Sequence, residues 1–119
     1  MIWYQQKQNK FKNIRQTYNG YSYASKKESS YAGELDLRLK AKDIKSWQRQ
    51  VKIDLEAYGE PICKYYCDFL INHIDGTKEY VEIKSPITMT ETWRLKWKMF
   101  EAKERKNIQK GKVKLTVLT

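Results

Sequence analysis

Thiol and imidazole are scarce in this chain: Cys63, Cys67 and His73 are all it carries in 119 residues. Three such ligands cannot make a structural zinc site, which takes four. Cys63 and Cys67 lie four apart in a segment that reads as a strand. That is roughly 13 Å of extended chain, too far for a disulfide. They read as reduced thiols of a cytosolic protein. No apolar run approaches the ~18 residues of a membrane span. The opening MIWYQQKQNK has no apolar signal-peptide region. Helix-turn-helix, Rossmann and P-loop signatures are missing too. Any metal this chain binds must therefore be held by oxygen.

Acids are few beside bases. Against 14 Asp+Glu stand 24 Lys+Arg, a formal charge of +10. Such a surface suits a polyanion or an anionic membrane. With 40% apolar and 32% charged residues, the balance is that of a globular protein, not a disordered one. The length allows one domain with a modest core.

Residues 1–16 are polar, with Lys7, Lys10, Lys12 and Arg15, and read as a basic N-terminal arm. Residues 17–119 read as a single domain. Asn19-Gly20 between Tyr-rich pairs signals a short hairpin. Ser25 starts a helix, SKKESSYAGELDLRLKAKDI, whose apolar stripe is Tyr31, Ala32, Leu35 and Leu39. Residues 47–57 alternate as a half-buried strand, with Trp47, Val51, Ile53, Leu55 and Ala57 on one side. Tyr58-Gly59-Glu60-Pro61 is a turn. Residues 62–73 and 77–84 form a hairpin. Thr90 caps a second helix, ETWRLKWKMFEAKERKNIQK, and the last strand is KVKLTVLT.

The hairpin carries an acid, Asp68, on its first strand, and Glu82-x-Lys84 at the end of its second. A three-residue loop, Ile74-Asp75-Gly76, with Gly76 left-handed, sets residue 73 against 77 and Asp68 against Glu82. Asp68, Glu82 and Lys84 then share a face. Opposed like charges destabilise a sheet, and a divalent cation would offset them. Glu28 is the third acid, near the centre of the first helix's apolar stripe. Ser25-Lys26-Lys27-Glu28 also fits a capping box, which equally places the acid at the helix start. The carboxylates, with the Ile83 carbonyl, suit a hard cation. The Lys84 ammonium suits activation of a water or stabilisation of charge on a phosphate.

Asp68 and then Glu82-x-Lys84, after a helix bearing Glu28, resembles the PD-(D/E)xK nuclease superfamily. More closely, the chain is similar to a small phage-encoded, Holliday-junction-resolvase-like branch. The matching stretches are NKF, YNGYSYASKKES, RQVKIDL, YYCDFLI, YVEIK and LKWKMFEAKE, in that order along most of the chain. It also resembles transposon-end nuclease subunits of heteromeric transposases. Cys67 stands where the superfamily's name puts Pro, which is not a ligand. The resemblance implies an α/β, restriction-endonuclease-like core, with a mixed sheet of about four strands flanked by two helices. It implies Mg²⁺ or Mn²⁺ on Asp68, Glu82, Ile83 and Glu28, with Lys84 as base or charge stabiliser and Gln50 orienting the site. It also implies a homodimer in the cytoplasm of a phage's bacterial host, cutting branched DNA.

The second helix carries Arg94, Lys96 and Lys98, expected to contact phosphates together with Lys26 and Lys27 at the start of the first helix. Trp93 and Trp97, one turn apart, read as core. The competing function is a nucleic-acid-binding protein without catalysis, or a nuclease subunit that needs a partner. Glu28, Asp68, Glu82 and Lys84 are all present, which favours the enzyme. A membrane-surface role would need an uncommitted apolar helix face, and the Trp-rich face is taken by the core.

Overall fold

The computed structural model describes residues 16–119. The rest of the basic arm, residues 1–15, lies outside the described residues. A small hairpin comes first, β1 (Gln16–Tyr18) and β2 (Tyr21–Tyr23), turning on Asn19 and Gly20, both with positive φ. Then follow α1 (Lys26–Lys40), β3 (Ser46–Ala57), β4 (Glu60–Asn72), β5 (Lys78–Ile83), α2 (Glu91–Lys103), α3 (Arg105–Gln109) and β6 (Val113–Leu118). The sheet order is β3-β4-β5-β6. Neighbours pair antiparallel except β5 and β6, which are parallel. That parallel pair needs a crossover, and α2 and α3 supply it. The fold is α/β, a four-stranded mixed sheet flanked by helices, as a restriction-endonuclease-like core requires. No helix among the described residues is long and apolar enough to cross a membrane.

Local chemistry explains most boundaries. Ser25 caps α1, its Oγ accepting from the Glu28 N–H at 3.2 Å. Thr90 does the same for α2 through the Trp93 N–H. The β4–β5 loop has the expected register: the His73 N–H donates to Thr77 O, and Gly76 is left-handed at φ 92°. Phe69 pairs with Val81 in that register, so Asp68 and Glu82 fall one step further along.

Four expectations need correction. The first helix stops at Lys40, not Ile44, because Lys42 turns left-handed at φ 59°. Ile44 is still core, but as part of the following loop. Leu39 is exposed, so the buried stripe ends at Leu35. The turn after β3 is Tyr58-Gly59 alone, both at positive φ as a two-residue hairpin turn demands, and Glu60 and Pro61 already belong to β4. The second helix breaks at Glu104, giving α2 and α3.

The core lies on both sides of the sheet. On one side α1 and the small hairpin pack Ala32, Leu35 and Tyr23 against Phe69, Ile71 and Val81. On the other, Phe100 of α2 packs with Ile53, Leu55, Tyr65 and Cys67. Here the strand reading fails in an informative way. Trp47 joins the α1 cluster, whereas Ile53 and Leu55, of the same parity, join the α2 cluster. On β4, Phe69 and Ile71 divide likewise from Tyr65 and Cys67. A regular strand keeps alternate residues on one face. The break falls at Gln50, a strand residue at φ 49°, and at Asp68 opposite it. Pairing resumes in the same register on either side, Arg49 with Phe69 and Val51 with Cys67.

Candidate active site

The irregularity at Gln50 and Asp68 is where the predicted site residues meet. Asp68 is also where β5 leaves β4, since their pairing starts at Phe69. The Asp68 side chain takes over from the ladder there: its Oδ2 accepts the Ile83 N–H at 2.9 Å. Its Oδ1 accepts from the Gln50 amide at 3.4 Å. The same Gln50 Nε2 donates to Glu28 Oε1 at 3.5 Å. One amide thus links the acid at the start of α1 with the acid of β4. Glu28 is 6% exposed, with the N-terminal end of the α1 dipole favouring its charge.

Glu82 completes the acidic row from the inside. It is 2% exposed and receives a hydrogen bond from the Tyr65 hydroxyl. Burial pushes its carboxyl up to about 9, and the charge of Asp68 and a hydrogen bond to it act in the same direction. Tyr65 and Lys84 oppose the rise without cancelling it. Burial likewise pushes the Tyr65 hydroxyl and the Cys67 thiol up. Cys67 is therefore an inert packing thiol beside Asp68, not a nucleophile.

A cleft of about 320 Å³ opens on this row, lined by Glu28, Asp68, Ile83 and Lys84, with Lys27, Ser85 and Thr88 on its rim. Glu82 is not a wall of it. The expectation that Asp68, Glu82 and Lys84 present one common face to a ligand is thus corrected: Asp68 and Lys84 reach the cleft, and Glu82 backs Asp68 from the core. The physical reason is the break in alternation, which turns Asp68 toward Gln50 and Glu28. Lys84 lies one residue past β5, its N–H still held by Leu118 O at 2.8 Å. Its Nζ stands 5.0 Å from the centre of the Trp93 ring, a cation–π distance.

The donor set is all oxygen, which fits a hard cation such as Mg²⁺ or Mn²⁺. Glu82 pressed against Asp68 is the feature a cation would relieve. No three acidic, thiol or imidazole side chains converge as a ready-made cage among the described residues. Glu28, Asp68 and Glu82 form a row, with the Gln50 amide between the first two.

The basic residues divide. Arg94 and Lys98 on α2, and Lys26 and Lys27 on α1, are exposed. Lys96 is half-buried, and its Nζ donates to Lys64 O at 3.2 Å, so it ties α2 to β4. Sequence reasoning missed Tyr65, and assigned Trp93 to packing alone. No spacing in YYCD marks Tyr65 as the partner of Glu82, because regular alternation offers no way to tell which faces survive the break.

The structure is thus an α/β fold with acids and a lysine at one sheet fork. The chain belongs to the family described as "Protein of unknown function (DUF1064)", which matches residues 8–117. Neither the curated proteins nor the solved structures contain a match.

Proposed function

We propose that this protein is a divalent-metal-dependent DNA endonuclease of the PD-(D/E)xK kind, acting on branched or otherwise structured DNA. The observation that carries the reading is the linkage of Glu28 and Asp68 through one Gln50 amide, beside a cleft walled by Lys84. A merely structural strand acid would not sit opposite a left-handed glutamine and share its amide with a buried helix acid.

Glu28 and Asp68, which line the cleft, would hold Mg²⁺ or Mn²⁺ with the Ile83 carbonyl, and Glu82 would join them from behind Asp68. Such an ion supplies an acidified water and neutralises phosphate charge. The chain's own groups do the rest. Lys84 brings a positive charge to the cleft wall, where charge builds on a phosphate under attack. Gln50 keeps the Glu28 and Asp68 carboxylates at a common spacing. Arg94, Lys98, Lys26 and Lys27 contribute phosphate contacts, which bring affinity without sequence reading. A chain of this size has little surface for reading bases, which favours DNA shape over a long sequence. The reading includes a homodimer in the cytoplasm of a host cell, since symmetric cutting of a four-way junction takes two sites.

The test is cleavage of labelled four-way junction, linear duplex and single-stranded DNA, with Mg²⁺, with Mn²⁺ and with EDTA. Asp68→Ala and Lys84→Ala run beside the wild type. Metal-dependent cutting lost in both variants is expected. Tight binding without cutting under any metal overturns the reading in favour of a binding protein.

A further inference from the structure

Two groups that the proposed reaction depends on, Glu82 and Lys84, converge on one side chain that the reaction does not use. Trp93, in the first turn of α2, presents its ring face to the Lys84 ammonium at 5.0 Å. Its edge donates from Nε1 to the Tyr65 hydroxyl at 3.3 Å. Tyr65 in turn donates to Glu82 Oε1. The indole is itself fixed. Thr90 holds its backbone N–H at 3.1 Å, and Trp97 stacks on its ring at 5.7 Å between centroids.

The charge pattern makes this contact matter. The ion pairs among the described residues are Arg38–Asp43 and His73–Glu79, and neither involves Lys84. A lysine has a long flexible stem whose rotamers no carboxylate holds here. The indole face is what selects one of them. On the other branch, the Tyr65 hydroxyl accepts from Trp93 and gives its one proton to Glu82. That fixes the carboxyl orientation of a buried acid.

We propose that Trp93 and Tyr65 are positioning residues: the Trp93 face holds the Lys84 ammonium at the cleft, and Tyr65, oriented by the Trp93 N–H, sets the Glu82 carboxyl behind Asp68. This inference rests on the nuclease reading for its consequence, but not for its geometry. Partners of a metal-site ligand typically change metal affinity by about 10–100-fold when removed. A ring face survives replacement of Trp by Phe and is lost with Leu, which separates the two arms.

The test uses the full chain as wild type, Trp93→Phe, Trp93→Leu and Tyr65→Phe. Lysines are reductively methylated with ¹³C, and the Lys84 signal is assigned by its loss in Lys84→Arg. In the wild type that signal is expected upfield from ring current, retained in part in Trp93→Phe and lost in Trp93→Leu. Single-turnover cutting of junction DNA should stay within about threefold in Trp93→Phe and fall about tenfold or more in Trp93→Leu, with DNA affinity within about twofold in both. Mn²⁺ titrated calorimetrically without DNA should bind about tenfold more weakly to Tyr65→Phe. An unshifted Lys84 signal overturns the Lys84 arm. Unchanged Mn²⁺ affinity in Tyr65→Phe overturns the Glu82 arm. Equal rate losses in Trp93→Phe and Trp93→Leu that follow their melting temperatures reduce Trp93 to packing. A wild type that cuts nothing, yet keeps the shifted lysine signal, refutes the nuclease reading and leaves the indole contact purely structural.

Discussion

Gln50 stands across the β3–β4 ladder from Asp68 with its backbone left-handed at φ 49°, and its amide donates to both Asp68 and Glu28. A left-handed non-glycine residue inside a strand costs about 1 kcal/mol or more. The strand bears that cost where the alternation of both strands resets. The reset sends Tyr65 and Cys67 under α2 while Phe69 and Ile71 stay under α1. Strain, fork and acids coincide.

Gln50→Gly and Gln50→Ala separate the backbone from the amide. Both lose the hydrogen bonds to Glu28 and Asp68. Only glycine removes the left-handed penalty, so Gln50→Gly should be more stable than Gln50→Ala by about 1 kcal/mol. Urea denaturation measures this. Both variants should cut poorly if the amide is what spaces the acids.

Stability should fall as pH rises through the range set by Glu82. Its carboxyl ordinarily titrates near 4.5 and is raised to about 9 in the fold. Between those values the folded chain binds a proton that the unfolded chain has lost, so rising pH favours unfolding. Below 4.5 the effect is fully stabilising, and above 9 it is gone. The expected size is on the order of a few kcal/mol. Glu82→Gln should flatten the dependence, as melting curves at pH 5, 7 and 9 will read. On the proposed reading Mn²⁺ displaces the same proton, so its stabilising effect should grow with pH across this window.

Asp36 clamps the small hairpin and β3 to α1. Its two oxygens accept from the Tyr18 hydroxyl at 2.6 Å and the Trp47 indole at 3.0 Å. Asp36→Ala strands two part-buried donors, at an expected cost of about 1–3 kcal/mol. The clamp is remote from the cleft, so Mn²⁺ affinity should not change. A calorimetric titration beside the denaturation curve checks both halves.

Exposed Arg94 and Lys98 should each contribute to DNA binding as point charges. Replacing either with Ala should weaken binding alike on all sequences and lower the salt slope by about 0.9. Lys96→Ala should do less to the slope, because its ammonium is engaged by Lys64 O. Fluorescence anisotropy over a salt series distinguishes the two outcomes.

Short-range chemistry made much of this protein legible from its residues. Ser25 and Thr90 mark helix starts because their hydroxyls satisfy free backbone N–H groups. Gly76 suits the left-handed last position of a three-residue loop, and that loop, unlike a two-residue turn, sets Asp68 against Glu82. Glu28, Asp68, Glu82 and Lys84 could therefore be named together before any coordinates, and the family resemblance added Gln50. Tertiary structure decided the rest. Which core each strand residue joins turned on one left-handed glutamine, an event that residue type does not announce. The break at Glu104 and the early end of α1 came likewise from how the chain must turn to reach its next partner. The joining of Glu82 to Tyr65 depends on the break in strand alternation, and that of Lys84 to Trp93 on where a helix some ten residues downstream packs on the sheet. Periodicity carries information about neighbours along the chain, and those contacts are made across it.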